Sequence, residues 1–371
     1  MELTLEAYAL IAKLVGGRAD LCSLCRVSKT SQLAAERALY NTIHLADPET
    51  ACVLFNLFAE QPRVSPLVVA LSISLEDDDE ASNGTPPALP SDYWEVVSGG
   101  LQHLPYLRFL HIYIDDGSDP HNAWCLNSCH FQLQTFHCDL SWDASLVTFL
   151  SKQNEITDLY IADFNEDIPE NVLLIPHSLR GARSLPILHN VECTFTEAVG
   201  ALVPGRPVTR VKTCFSRSDI AEKRAEMALL IANLHLSTQS LLSINVADSS
   251  YTSAFSLEFL RSLVDAISPD PALRYLGVLA FPVDSKERLM LYGYLRRLPY
   301  LRCLELEISE WDPPPLTPLA QRSLARELRL YCPLVETVIF TFDFEPMVLN
   351  AVGGTWETTP ENYADALWRD F

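Results

Sequence analysis

The feature that most constrains the fold is a phrase that the chain contains twice. Leu-Pro-Tyr-Leu-Arg-Phe-Leu-His-Ile occupies residues 104–112, and Leu-Pro-Tyr-Leu-Arg-Cys-Leu-Glu-Leu occupies residues 298–306. Looser copies lie between and beyond these two. Such self-similarity indicates a chain built by stacking one supersecondary unit. Because stacked repeats form extended binding surfaces, the pattern favours protein binding over catalysis in a buried pocket.

Each copy of the repeat carries apolar residues at its first, fourth and sixth positions. Two apolar residues at a spacing of two suit a short strand with one buried face. The central apolar residues are Leu71, Leu110, Phe136, Leu159, Leu188, Val211, Ile244, Leu276, Leu304 and Val338. We predict one strand at each of them.

Segments with helical periodicity separate the later strands, at residues 219–234, 256–267, 286–297 and 318–330. A strand, a loop and a helix in about 20–30 residues are typical of a leucine-rich repeat. Helical repeats of the HEAT kind are the alternative, but paired apolar residues and frequent Val and Ile favour strands. We therefore predict an α/β leucine-rich-repeat solenoid, a horseshoe of degenerate repeats.

The charge of the chain is strongly negative and unevenly distributed. The formal net charge is −21, and residues 67–170 hold 18 acidic side chains but only Arg108 and Lys152 as bases. Such a surface repels phosphate backbones, which argues against nucleic-acid binding. The sequence lacks an apolar run of the ~18 residues that a membrane span needs, and a secretory signal pattern. We expect no membrane partner and a cytoplasmic or nuclear location.

Acidic residues recur just after the early strands. Asp115 and Asp116 follow the strand at Leu110, while Asp163 and Asp167 follow the strand at Leu159. Equivalent positions of a solenoid lie in a row, so these loops should line one edge. The row is either a solvated edge that keeps the protein soluble or a docking strip for a basic target protein. We take these four aspartates as the candidate partner-binding residues.

The first 45 residues follow a different pattern. A helical run after Leu3 stops at Gly16-Gly17, residues 20–29 read D-L-x-x-L-x-x-V-S-K, and residues 39–45 read L-Y-x-x-I-x-L. This order resembles the F-box of fungal F-box and leucine-rich-repeat proteins. Pro-Gly-Arg-Pro-Val at 204–208 and Cys-Pro-Leu-Val-Glu at 332–336 are similar to phrases of later repeats in that family.

The resemblance implies a substrate-recognition subunit of an SCF-type ubiquitin ligase. Its F-box would dock the Skp adaptor, which joins the cullin scaffold, and its repeats would bind a target protein. Apolar residues of the first two helices would make the adaptor contact, and we select Leu3, Leu5, Ile11 and Leu21. Thr4 stands where the family has proline. The alternative is a ligase-independent interaction scaffold whose helical head only caps the solenoid.

The predicted domains are a short all-α F-box-like head (1–46), a repeat solenoid (47–345) with an acidic loop (76–91), and a C-terminal cap (346–371). No catalytic motif is present, so we predict a non-catalytic adaptor without a cofactor.

The ten cysteines should mostly be buried free thiols, since the expected compartment is reducing. Cys22 and Cys25 have the spacing of a redox or zinc pair, yet core packing is the favoured interpretation. Cys125, Cys129, His130, His137 and Cys138 form a possible zinc cluster by spacing. Strand alternation should place His137 and Cys138 on opposite faces, which argues against a metal.

Overall fold

Parallel strands alternate with helices along most of the chain, as the repeats predict. The computed structural model describes residues 3–74, 89–114, 122–162, 179, 184–248, 250–268, 270–359 and 365–371. The chain divides into two compact units. Unit 1 runs to Leu179 and includes Leu185, and unit 2 runs from Pro186 to Phe371.

Unit 1 begins with three helices and continues with alternating strands and helices. Its elements are α1 (Leu5–Leu14), α2 (Arg18–Leu24), α3 (Lys29–Tyr40), β1 (Thr42–Leu45), α4 (Pro48–Glu60), β2 (Ala70–Ser74), α5 (Tyr93–Leu101), β3 (Phe109–Tyr113), β4 (Thr135–Cys138), α6 (Ala144–Ser151) and β5 (Asp158–Ile161). Two 3₁₀ turns, Ser65–Leu67 and Asn122–Leu126, lie between them.

The three helices of the head have a small core of their own. Ala12, Leu21 and Ala34 are buried together, and Tyr8 and Val15 pack partly against them. The predicted head extends to residue 46, but Thr42–Leu45 is the first strand of the sheet, because Ile43 is in parallel register with Leu71. The helical part of the head therefore ends at Tyr40.

The sheet of unit 1 places its strands in sequence order, each parallel to the next. Leu71, Leu110, Phe136 and Leu159 are register partners along this sheet, which confirms the four central residues predicted for this part. All four are buried. The ring of Phe136 lies 5.6 Å from that of Phe149 in α6, so this row faces the helices.

Unit 2 repeats the pattern and ends with an antiparallel hairpin. Its elements are β6 (Asn190–Cys193), α7 (Thr196–Leu202), β7 (Arg210–Phe215), α8 (Ile220–Leu234), β8 (Ser243–Asp248), α9 (Ser253–Ile267), β9 (Tyr275–Ala280), α10 (Ser285–Leu295), β10 (Cys303–Glu307), α11 (Pro318–Tyr331), β11 (Thr337–Phe342), β12 (Glu345–Val352), β13 (Thr355–Thr359) and α12 (Leu367–Asp370).

The register of unit 2 confirms most of the predicted central residues. Val211, Ile244, Leu276, Leu304 and Val338 are partners on successive parallel strands.

One predicted central residue is wrong by three positions. Val191, not Leu188, pairs with Val211. Both Leu188 and Val191 are buried, and each follows another apolar residue by three positions, so the pattern fits the sequence in two frames.

A recurring pair of hydrogen bonds fixes this register. The carbonyl of the residue before a strand accepts hydrogen bonds from two consecutive N–H groups at the start of the next strand. Arg108 accepts from Gln134 and Thr135, and Arg302 accepts from Glu336 and Thr337. The same arrangement recurs at Asn41, Val69, Gln134, His189, Thr209, Leu242 and Arg274. We call these acceptors the pre-strand carbonyls.

The helices begin at polar residues that cap their free N–H groups. Asp219 accepts from two backbone N–H groups of α8, and Asp284 does the same for α10. Both helices lie where the periodicity predicts. Helix α9 starts three residues earlier than predicted, because Thr252 caps it in place of Ser256. Such caps contribute about 1 kcal/mol each.

The residues after Phe344 were predicted to fold back over the last repeat, and they do more than this. Strands β12 and β13 extend the sheet of unit 2 antiparallel to β11. Residues 365–371, which we call the covering segment, then lie against the sheet face opposite the helices. Trp368 packs there on Tyr275, Cys303, Ile339 and Val348, residues of four different strands.

Candidate functional site

An exposed apolar stripe lies on the first helix of the head. Leu3 precedes α1, and Leu10, Ile11 and Leu14 follow at helical spacing; we call these four residues the head stripe. Leu10 is 65% exposed and Leu14 is 85% exposed. Contiguous apolar residues that face solvent mark a protein-binding surface more often than isolated ones do. The head stripe is therefore a candidate docking surface.

The structure separates the four predicted adaptor-binding residues into two groups. Leu3, Leu5 and Ile11 are exposed, which suits a contact surface. Leu21 is only 7% exposed, because it belongs to the core between α1, α2 and α3, so it is corrected from an exposed residue to a structural one. Leu10 and Leu14 were not selected, although their spacing from Ile11 in the sequence already places them on one helix face.

Thr4 performs a structural task in the position where the resembled family has proline. Its Oγ1 accepts a hydrogen bond from the N–H of Ala7 at 3.4 Å, and it is the N-cap of α1. A hydroxyl at this position satisfies a backbone donor that would otherwise lack an intrahelical partner. The first helix is therefore capped at its start despite the missing proline.

A second candidate surface lies on unit 1, on the side of the sheet that alternation turns away from the helices. His44, Ser72, His111, His137 and Tyr160 are register partners on β1 to β5, and we call them the histidine row. Each follows the central apolar residue of its strand. Alternation therefore places it opposite the buried side chains.

The side chains at the middle of the histidine row are closely stacked. The rings of His111 and His137 lie parallel with centroids 4.6 Å apart, which is close to the spacing of neighbouring strands. His137 Nε2 lies 2.7 Å from Oδ1 of Asp158. Tyr160 meets His137 edge-on at 5.9 Å. Flat rings beside a carboxylate are the chemistry that favours a planar cation such as an arginine side chain, although the side chains of His137 and Asp158 are only 17% and 14% exposed.

The histidine row was missed by the sequence analysis, although a signal for it was present. In each early repeat the residue between the two buried apolar positions belongs to the row. His111 stands between Leu110 and Ile112, and His137 stands between Phe136 and Cys138. An alignment of the repeats on their central apolar residues therefore predicts the histidine row from the sequence alone.

The structure describes only part of the loops that form the predicted acidic docking strip. Asp115, Asp116, Asp163 and Asp167 lie outside the described residues, as does most of the acidic loop 76–91. Asp139 and Asp143, which follow β4, have structural partners. Asp139 accepts a hydrogen bond from the N–H of Ile114, and Asp143 caps α6 through the N–H of Leu146. These two aspartates stabilise the fold of unit 1.

The corresponding face of unit 2 is occupied by the covering segment. Trp368 is 1% exposed within its apolar cluster. Its neighbour Arg369 donates from Nη2 to Oε2 of Glu192 at 2.6 Å. The ring of Phe371 lies 6.5 Å from that of Tyr275. We call this part of the sheet the covered face.

A polar cluster lies beside these apolar contacts. Oε2 of Glu305 accepts hydrogen bonds from the hydroxyl of Tyr275 at 2.5 Å and from Nδ2 of Asn245 at 2.8 Å. Burial raises the pKa of the Glu305 carboxyl above its usual value, while the hydrogen bond from Tyr275 and the charge of Lys212 oppose the shift. The covered face therefore combines an apolar pocket with a partly buried carboxylate that is held by two hydrogen bonds.

The cysteines do not form a metal site in the part of the chain that the structure describes. His137 and Cys138 lie on opposite faces of β4, which confirms the predicted alternation. The ten cysteines are free thiols; six are buried, and burial raises the pKa of Cys129 to about 12. Cys22 is exposed, so the expected core packing of Cys22 is wrong.

Cys22 is exposed because the short helix α2 packs on the head core through Leu21, which is buried, and Leu24, which is partly buried. The helices that the structure describes include none that is long and apolar enough to cross a membrane.

No protein-family model and no curated protein sequence matches the chain. The F-box resemblance therefore stays a prediction from sequence motifs.

Proposed function

We propose that this protein is the substrate-recognition subunit of an SCF-type ubiquitin ligase and carries out no bond-making step itself. Its head docks the Skp adaptor, which joins it to the cullin scaffold. Its repeats hold a target protein near the ubiquitin-charged enzyme and so raise the effective concentration of the target. This role requires a cytoplasmic or nuclear location.

The observation that carries this proposal is the head stripe. Leu10 and Leu14 face solvent on a helix that already has a packed side, formed by Ala12 with Leu21 and Ala34. A head that only covered the first repeat would use its apolar residues against the sheet. The head instead keeps a second apolar surface for another protein.

The repeats supply a surface for the target in this proposal. The histidine row offers stacked rings beside Asp158, and the surrounding stretch of sequence is strongly acidic. A basic target fits both features. The contributions of Asp115, Asp116, Asp163 and Asp167 stay a prediction; capture of the target should weaken with salt if they act.

The test is capture of purified Skp adaptor by the full-length chain. The substitutions Leu10→Asp and Leu14→Asp together should reduce capture at least tenfold, because a charge replaces apolar contact on each turn. The matched control is Leu330→Asp, since Leu330 is 80% exposed on α11 and outside the head. Circular dichroism should show that all three chains fold alike.

Capture that is equal for the wild-type chain and the double variant would overturn adaptor docking through the head stripe. The other candidate is a ligase-independent scaffold with a capping head, and one observation favours it. Strand β1 follows α3 directly and pairs with β2, so the head leads straight into the sheet. This candidate predicts that even the wild-type chain captures no adaptor.

A further inference from the structure

The covering segment behaves as a ligand that is part of the same chain. It touches the sheet of its own unit through side chains that peptides commonly use to bind a surface: an aromatic anchor, a basic residue that meets a carboxylate, and a second aromatic ring. Trp368 fills the pocket, Arg369 pairs with Glu192, and Phe371 packs near Tyr275. The pocket is built from residues of four strands.

The charges on both sides of the contact are complementary. Glu192 meets Arg369 on one side and Lys212 at 3.1 Å on the other. Burial lowers the pKa of Arg210, the charge of Arg274 adds to this shift, and the charge of Asp370 opposes it. Asp370 is therefore close enough to act on the Arg210 guanidinium. The covered face thus matches a sequence of the order aromatic, basic, acidic, aromatic.

The covering segment leaves polar atoms of the site unsatisfied. Nε1 of Trp368, Nε of Arg210 and Oγ of Ser243 are buried without a hydrogen-bond partner among the described residues. Ser243 is in register with both Arg210 and Tyr275, so it lies on the covered face. A buried polar group without a partner costs about 1–3 kcal/mol. The contact is therefore good in shape and charge but incomplete in hydrogen bonding.

We propose that the covered face is a binding site for a peptide segment of a partner protein with a tryptophan followed by a basic residue, and that the covering segment occupies it as an intramolecular competitor. A partner whose backbone or side chains also satisfy Ser243 and Arg210 has an advantage over the resident segment. This site does not depend on adaptor docking by the head.

The first measurement uses a fluorescein-labelled synthetic peptide with the sequence Asp-Ala-Leu-Trp-Arg-Asp-Phe, which is that of residues 365–371. The wild-type chain should bind it weakly, because a tethered segment competes at an effective concentration in the millimolar range. The full-length Trp368→Ala chain should bind it at least tenfold more tightly. Fluorescence anisotropy gives both affinities. A peptide with alanine in place of tryptophan should not bind.

The second measurement uses Cys303 as a reporter, since its thiol lies under Trp368 and is fully buried. Alkylation of Cys303, followed by mass spectrometry, should be at least tenfold faster in the Trp368→Ala chain, and the added peptide should slow it again. Cys138 is equally buried but lies in unit 1, so its alkylation rate should stay unchanged. Faster alkylation of both thiols would indicate unfolding.

A second variant keeps the test decisive if Trp368→Ala unfolds the chain. Arg369→Glu retains the Trp368 side chain but removes the ion pair with Glu192 and the contact of the Arg369 guanidinium with the Trp368 ring. It should therefore also increase peptide binding. Adding Glu192→Gln to the full-length Arg369→Glu chain should remove the preference for arginine in the peptide. The original peptide and a peptide with glutamine in place of arginine should then bind with equal affinity.

Two results would overturn the proposal. One is peptide binding by Trp368→Ala and Arg369→Glu no tighter than by the wild type. The other is a wild-type dimer in light scattering that the Trp368→Ala substitution abolishes, since the site would then receive the covering segment of a second copy. Neither result affects capture of the Skp adaptor.

Discussion

Strands β3 and β10 lie in the two nearly identical phrases of the sequence, residues 104–112 and 298–306, yet their outward faces have different environments. Phe109, the first residue of β3, is 39% exposed, whereas Cys303, the first residue of β10, is 0% exposed beneath Trp368. The next outward residues are His111, which stacks on His137, and Glu305, which hydrogen-bonds to Tyr275.

The leucines and the tyrosine that the two copies share have the same environment in both. The leucines at 104, 107 and 110, like those at 298, 301 and 304, are buried. Tyr106 and Tyr300 are both exposed. The shared leucines therefore build the scaffold, and the outward residues at the start of each strand, which differ between the copies, give the two faces their different chemistry. A repeat protein of this kind can carry two unrelated sites on equivalent strands.

The largest expected loss of stability concerns the buried leucines that the two copies share. Leu110→Ala and Leu304→Ala should each lower the free energy of unfolding by about 3–5 kcal/mol, because each leaves a cavity in a closely packed core. Urea denaturation followed by tryptophan fluorescence measures both. Tyr106→Ala and Tyr300→Ala are the controls, with changes within about 0.5 kcal/mol. A large difference between the two leucines would break the equivalence of the copies.

A smaller loss of stability should distinguish the outward position of β10 from that of β3. Cys303→Ser places a hydroxyl under Trp368 and should cost about 1–3 kcal/mol of unfolding free energy, since a buried hydroxyl without a partner is unfavourable. Phe109→Ser changes a partly exposed side chain and should cost less. The same denaturation measurement checks both. Equal losses would show that the two positions do not differ in burial in solution.

The smallest effect concerns the pH dependence of stability. Burial raises the pKa of Glu305 above its ordinary value of 4.5, so the folded chain binds its proton more tightly than the unfolded chain does. The stability from this group is complete below pH 4.5 and is lost as the pH rises through the folded pKa. Glu305→Gln should remove this loss.

The measurement is the urea midpoint as a function of pH, from below 4.5 upward. Glu345→Gln, at an exposed position of β12, is the matched control and should keep the wild-type slope. A Glu305→Gln chain with an unchanged slope would show that burial does not raise the pKa of this carboxyl.

Much of the scaffold could be predicted from the sequence because its signal is local. Apolar residues three and two positions apart locate the strands, and nine of the ten predicted central residues are in the register of the sheets. The error at Leu188 arose because a triplet of apolar residues fits the pattern in two frames.

The sites were harder to predict because their contacts are distant in sequence. Leu21 and Ile11 look alike in a helical pattern, and only the packing of α3 makes one a core residue. Trp368 contacts Tyr275 and Cys303, which no spacing rule connects to it. The histidine row was accessible in principle, since each member occupies a fixed position of its repeat.

The pre-strand carbonyls have a consequence for how such a chain can change over evolution. Because each strand is aligned by hydrogen bonds to the residue before the neighbouring strand, the length of the connecting segment does not set the alignment. Leu110 follows Leu71 by 39 residues, whereas Leu159 follows Phe136 by 23, yet both pairs are in register. Insertions between strands can therefore accumulate without shifting the sheet, and new loops can be acquired one repeat at a time.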